Sequence, residues 1–160
     1  MLTAKNWAKF GQFVLDKGSV KSDPETPSAS PEKNLLKEEL LMQCFEASTT
    51  NKRYGLTWWL NGVDEDADGG AKDSKADRSE PLRDRLYQEA INREADVNVR
   101  EEGVAIKMYM AAGLGKQRLF IIPKYDLVVV RFAEPSAQGA RFQNDDFLKP
   151  IVQALATTTP

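Results

Sequence analysis

The chain has 160 residues, 41% of them apolar, with 22 basic and 24 acidic side chains and a net charge of −2. That is the length of one domain, with enough apolar material for a core and no overall basic field to draw nucleic acid or an acidic lipid surface. Zero histidines and a single cysteine, Cys44, remove Ser-His-Asp and Cys-His catalysis, the commonest zinc ligand, an internal disulfide and any cysteine-based metal cluster.

Chemistry in this chain is left to Lys, Tyr, carboxylates and backbone groups, and no cofactor is expected. No apolar run approaches the roughly 20 residues of a membrane span. The opening "MLTAKNWAKFGQFVLDKG" has neither an h-region nor a cleavage site, so it is not read as a signal peptide. The compartment stays open.

Residues 3–16 read as a helix: Thr3 is placed to cap it, Trp7, Phe10 and Val14 share a face, and Gly18 follows its end. Residues 18–30 form a Pro/Ser linker. A second helix is expected from Pro31 to Ala47, capped by Ser30, with Leu36, Leu40, Leu41 and Cys44 on one face. Residues 53–61, "RYGLTWWLN", have the aromatic and β-branched content of a strand.

A polar, mobile insertion is expected at about 62–102, with a charged helix near 80–96 inside it. Three strands follow at 103–111, 117–123 and 126–132. A closing amphipathic helix carries Phe147, Leu148, Ile151, Val152 and Leu155, with Pro150 expected in its first turns. The fold class is α+β: a three-stranded antiparallel meander with flanking helices and a C-terminal helix, in a single partial domain over 1–160. "DLVVV" is nearly all apolar, so the last strand wants cover on both faces and partners on both edges.

Three motifs reduce to plainer readings. Asp64, Asp66, Asp68 and Gly69 match the first half of a calcium loop, but Lys72 and Lys75 stand at the ninth and twelfth positions and would repel the ion. "GLGK" at 113–116 lacks the phosphate-loop pattern, because Met110 and Gln117 occupy its first and last positions. Ser30 and Lys33 form S-x-x-K, which helix capping explains. Trp58 and Trp59 alternate faces on a strand, and both are expected in the core.

The stretch "MYMAAGLGKQRLFIIPKYDLVVVRF" is the most informative. Its strands are parted by the small-residue turn Ala111, Ala112, Gly113, Leu114 and Gly115, in which only Leu114 carries a side chain of core size. Either this is hairpin chemistry or a ligand lies against that backbone.

In order and spacing, the pieces resemble the C-terminal part of a class C-like serine hydrolase of the β-lactamase and penicillin-binding-protein superfamily, which includes esterases and amide hydrolases. Thr3, Ala4, Ala8, Phe10 and Gly11 match a "T-A-x-D-x-A-x-F-G" helix, with Asn6 at the Asp position. Tyr54, Gly55, Trp58 and Trp59 match "YGxxWW". Gly113, Gly115, Gln117, Pro123, Asp126, Val128, Val129 and Val130 fit a "G-x-G-x-Q-x-x-x-x-x-P-x-x-D-x-V-V-V" hairpin.

The resemblance implies a β-lactamase/transpeptidase-like fold in which Ala111-Ala112-Gly113 stands where Lys-Thr-Gly or His-Thr-Gly borders the active site. The substrate-binding and oxyanion residues would then be Ala111, Ala112, Gly113, Leu114, Gly115 and Gln117, with Leu114 N–H an oxyanion donor. Loss of the Lys or His and the Thr argues against β-lactam and peptidoglycan substrates and towards a small ester or amide. The family's S-x-x-K nucleophile and Tyr-x-Asn are expected upstream, so the chain reads as a C-terminal fragment that is inactive alone and has the missing N-terminal part as partner. The alternative is a non-catalytic binding or interaction domain derived from that family.

Overall fold

The computed structural model describes residues 3–20, 33–61, 97–133 and 142–157. Residues 21–30 of the expected 18–30 linker, Ser30 among them, the candidate calcium loop and the helix expected at 80–96 lie outside these residues.

Helix α1 spans Ala4–Leu15, with the Thr3 hydroxyl accepting from the Asn6 N–H, so the predicted helix and its cap are both present. The chain leaves it through Lys17 and Gly18, both at positive φ, into β1 (Ser19–Val20). β1 pairs antiparallel with β2 (Lys33–Asn34). This corrects the expected helix from Pro31 to Ala47. The Leu35 and Leu36 N–H groups are taken by the Gly18 carbonyl, which holds the segment extended. Helix α2 is therefore short, Glu38–Gln43, and Lys37 stands at its N-cap without a side-chain cap bond. Leu41 alone is buried from this helix, while Leu40 is half exposed.

The strand expected over 53–61 is reduced to β3, Trp59–Asn61; Tyr54 folds back to bridge Trp59. A small hairpin of β4 (Arg100–Glu101) and β5 (Val104–Ala105) precedes β6 (Met108–Gly113). The chain then makes a 3-10 turn at Leu114–Lys116, β7 at Gln117–Ile122, a second 3-10 turn at Pro123–Tyr125, and β8 at Leu127–Arg131. Helix α3, Asn144–Ala156, closes the described chain. Pro150 lies well inside α3 rather than at its start, so the Asp146 carbonyl lacks the N–H four residues on that an α-helix normally supplies.

The meander β6-β7-β8 is present, but it is part of a four-stranded antiparallel sheet of order β3-β6-β7-β8. The fold is α+β. Period-two alternation sends the side chains to two cores. On one face Met108, Met110, Phe120 and Ile122 pack with Leu148 and Val152 of α3, and with Val97, Val99 and Ile106 from the segment entering β6. On the other, Leu60, Tyr109, Leu119 and Ile121 pack with Val14 of α1, Leu41 of α2 and Trp58. Each fully buried side chain of this kind contributes about 1.5–3 kcal/mol.

Trp58 and Trp59 are divided between the two faces, Trp58 buried in one core and Trp59 packed against the other. "DLVVV" is likewise covered on both sides, Leu127 and Val129 towards α3 and Val128 and Val130 towards α1. Among the described residues β8 is an edge strand.

Candidate functional site: the open end of β6

β6 outruns its neighbour. β3 pairs with it only from Met108 to Met110, whereas β7 pairs with it as far as Gly113. In an antiparallel ladder, successive residues direct their N–H and C=O alternately to the two sides. The Leu60 N–H donates to the Arg53 carbonyl, away from β6. Trp59 and Asn61 therefore bond to β6, and their partners Met110 and Met108 face β3. By the same alternation Ala112 faces that side too, beyond the end of β3. Gly113 is extended, at φ −125° and ψ 170°, so the Leu114 N–H is directed there as well. Among the described residues no strand pairs with Ala112 on the β3 side.

Six residues singled out from the sequence thus share one end of one hairpin. Ala111 is half-buried against the α1-side core, and Ala112 and Gly113 are exposed. Leu114 opens the turn, and Gly115 sits in the left-handed region at φ 73°, where glycine is favoured. Lys116 follows at φ 61°. Gln117 begins β7, and its side-chain amide clasps Ala133, donating to the carbonyl and accepting from the N–H at 3.0 Å.

Gly113 differs from Gly115. Its φ is one any residue adopts, and a Cβ there would meet only the Gln117 side chain, Cβ at 3.4 Å and Cγ at 3.9 Å. Neither backbone nor packing within the described residues requires glycine at this position.

Beneath the turn lies a polar group the sequence reading missed. Arg118, 1% exposed, donates from Nε to the Asn144 Oδ1 at 3.1 Å, and from Nη1 to the carbonyls of Gln117 at 2.9 Å and Gly113 at 3.5 Å. Arg131, directly opposite on β8, donates from Nη1 to the Lys116 carbonyl at 2.6 Å. The ring of Phe142 lies 3.9 Å from the Arg131 guanidinium and 6.0 Å from that of Arg118. The signal for Arg118 was available: in "QRLFII" it falls on the same face as Phe120 and Ile122, an inward position for a charge.

A second polar group sits at the opposite end of β7. Glu101 accepts from Lys124 Nζ and, at 2.8 Å, from the Tyr125 hydroxyl. The hydrogen bond from Lys124, and then that from Tyr125, hold the Glu101 carboxyl below its ordinary range. Burial, reinforced by Glu101, pushes the Tyr125 hydroxyl up, and the bond to Glu101 raises Lys124. The group staples the β4–β5 hairpin to the β7–β8 turn.

Lys33 lies in β2 and not on a helix. Among the described residues no three His, Cys, Asp or Glu side chains are grouped to hold a metal ion, and no helix is long and apolar enough to cross a membrane. No protein-family model, curated protein or solved structure matches this chain.

Proposed function

We propose that this chain is the C-terminal part of a serine hydrolase with a β-lactamase/transpeptidase-like fold, acting on a small ester or amide, and that β6 is its active-site border strand. The carrying observation is the open end of β6. Ala112 and Leu114 direct backbone groups to the side of β6 beyond the end of β3, where no described strand pairs, and Ala112 and Gly113 carry little or no side chain there.

In this reading the nucleophilic Ser and its activating Lys come from the missing N-terminal part. The Ser Oγ adds to the carbonyl as its proton passes to the base. The tetrahedral oxyanion is held between the Ser N–H and the Leu114 N–H, and the alcohol or amine departs with a proton. Water then hydrolyses the acyl-enzyme. Backbone donors need no particular side chain, so Ala-Ala-Gly serves in place of Lys-Thr-Gly. The freedom of Gly113 from any constraint in the described residues fits a glycine kept for what approaches from outside. The edge of β8 offers the N-terminal part a place to pair.

The test is covalent labelling with a fluorophosphonate. The chain alone is expected to stay unlabelled, and a polypeptide joining it to an N-terminal part with S-x-x-K and Tyr-x-Asn is expected to label at that Ser. Labelling of the chain alone refutes the reading. An intact joined protein that never labels leaves the non-catalytic binding domain as the better account.

A further inference from the structure

Arg118 and Arg131 face each other directly across β7 and β8. Like charges so placed repel, and Arg118 is 1% exposed, where a guanidinium has lost nearly all its water. An apolar pair would hold these strands together without that cost. What the arginines do instead is specific: Arg131 Nη1 donates to the Lys116 carbonyl at 2.6 Å, and Arg118 Nη1 to the Gln117 carbonyl at 2.9 Å and, at the longer distance of 3.5 Å, to the Gly113 carbonyl at the other end of the Leu114–Lys116 turn. The turn they grip has two consecutive residues, Gly115 and Lys116, at positive φ, a conformation that persists when its surroundings over-determine it.

One of those carbonyls has a particular partner. The Gly113 C=O belongs to the same peptide group as the Leu114 N–H. A cation against the oxygen of an amide draws electron density from its nitrogen and strengthens its N–H as a donor. We propose that Arg118 is a positioning residue that fixes and polarises the Gly113–Leu114 peptide, making the Leu114 N–H a pre-oriented, strengthened donor. Asn144 at the start of α3 holds the guanidinium from behind at 3.1 Å, which ties the helix to the turn. That the donor serves an oxyanion rests on the hydrolase reading; its polarisation does not.

The experiment is NMR on the full chain labelled with 13C and 15N, comparing Arg118→Met, Arg118→Lys and the parent. In Arg118→Met the Gly113 carbonyl carbon and the Leu114 amide proton are both expected to move upfield, and the base-catalysed exchange of the Leu114 amide to slow, because its N–H becomes less acidic. Arg118→Lys restores the charge without the planar fork, so both signals are expected to return part of the way. A purely structural arginine would disturb the Leu148 and Phe120 signals and would not separate Lys from Met. Folded Arg118→Met with both reporters unmoved overturns the proposal, as does Arg118→Lys indistinguishable from Met. If Arg118→Met does not fold, Asn144→Ala decides: the same two signals moving by less supports the proposal, and their invariance overturns it. Because the readout needs no catalysis, a failed labelling experiment and a failed NMR experiment sink different claims.

Discussion

Gly11 of α1 lies so close to Val128 of β8 that a Cβ on Gly11 would fall 2.5 Å from Val128 Cγ1, with Leu119 Cδ1 at 2.8 Å. The glycine is what lets the helix sit down on the sheet. Alanine is the better helix former by about 1 kcal/mol, but overpacking a stiff β-branched neighbour costs about 1–3 kcal/mol. Gly11→Ala is expected to be a net destabilisation of about 1 kcal/mol in chemical denaturation. In a Val128→Ala background the same substitution should cost less or turn favourable, a coupling that a double-mutant cycle measures. Equal cost in both backgrounds would refute the contact.

Gly113 and Gly115 should respond in opposite ways to alanine. Gly113→Ala meets only an ordinary contact and an extended φ, so the stability change should stay within about 0.5 kcal/mol. Gly115→Ala is forced into the left-handed region and should cost about 1–2 kcal/mol. Urea midpoints check both. On the proposed hydrolase reading, Gly113→Ala in a polypeptide joined to the N-terminal part should nonetheless lower kcat/KM, through a methyl group added beside the Leu114 N–H.

Thr57 adopts φ 68° two residues before β3, an outlying conformation for a β-branched side chain. Thr57→Gly should relieve the strain and raise stability by up to about 1 kcal/mol, read as an increased thermal midpoint. A lower midpoint would mean that the threonine side chain holds this turn.

The staple of Glu101, Lys124 and Tyr125 gives a pH dependence with a definite sign. The folded-state carboxyl of Glu101 lies below its ordinary value, so its contribution is present above the ordinary carboxylate range and is lost as pH falls through the depressed value. Lys124 and Tyr125 are both raised, so theirs is present below the ordinary lysine and tyrosine range and is lost as pH rises through the raised values. The amide of Val104, which pairs with Glu101 across the hairpin, should be best protected from exchange between those limits. Glu101→Gln should abolish the acid limb. An acid limb that survives the substitution would assign it to another carboxylate.

Much of the architecture was legible. The apolar spacing of α1 and α3 and the alternation of β6 to β8 are dictated by which side chains must leave water, and period alone reveals that. The second helix was misread because its competitor is tertiary: the Gly18 carbonyl and the pairing of Ser19 with Asn34 hold the chain extended, and neither shows in a local window. The residues of the β6 end were legible as small side chains out of place in a strand. Arg118 escaped attention because basic residues are normally read as surface, although its strand position pointed inward. That β3 stops short of Ala112 depends on where another segment ends, which no local pattern in β6 contains.

The two ends of β7 also differ in what holds them. At Gln117 the fastening is guanidinium, amide and carbonyl, groups that do not change protonation between mild acid and mild alkali. At Ile122, about 17 Å away along a six-residue strand, it is a carboxylate, an ammonium and a phenol. A pH titration should therefore release one end of the strand while the other stays fast, so the Gly113–Lys116 resonances can serve as an internal reference against which the opening of the far hairpin is read within a single sample.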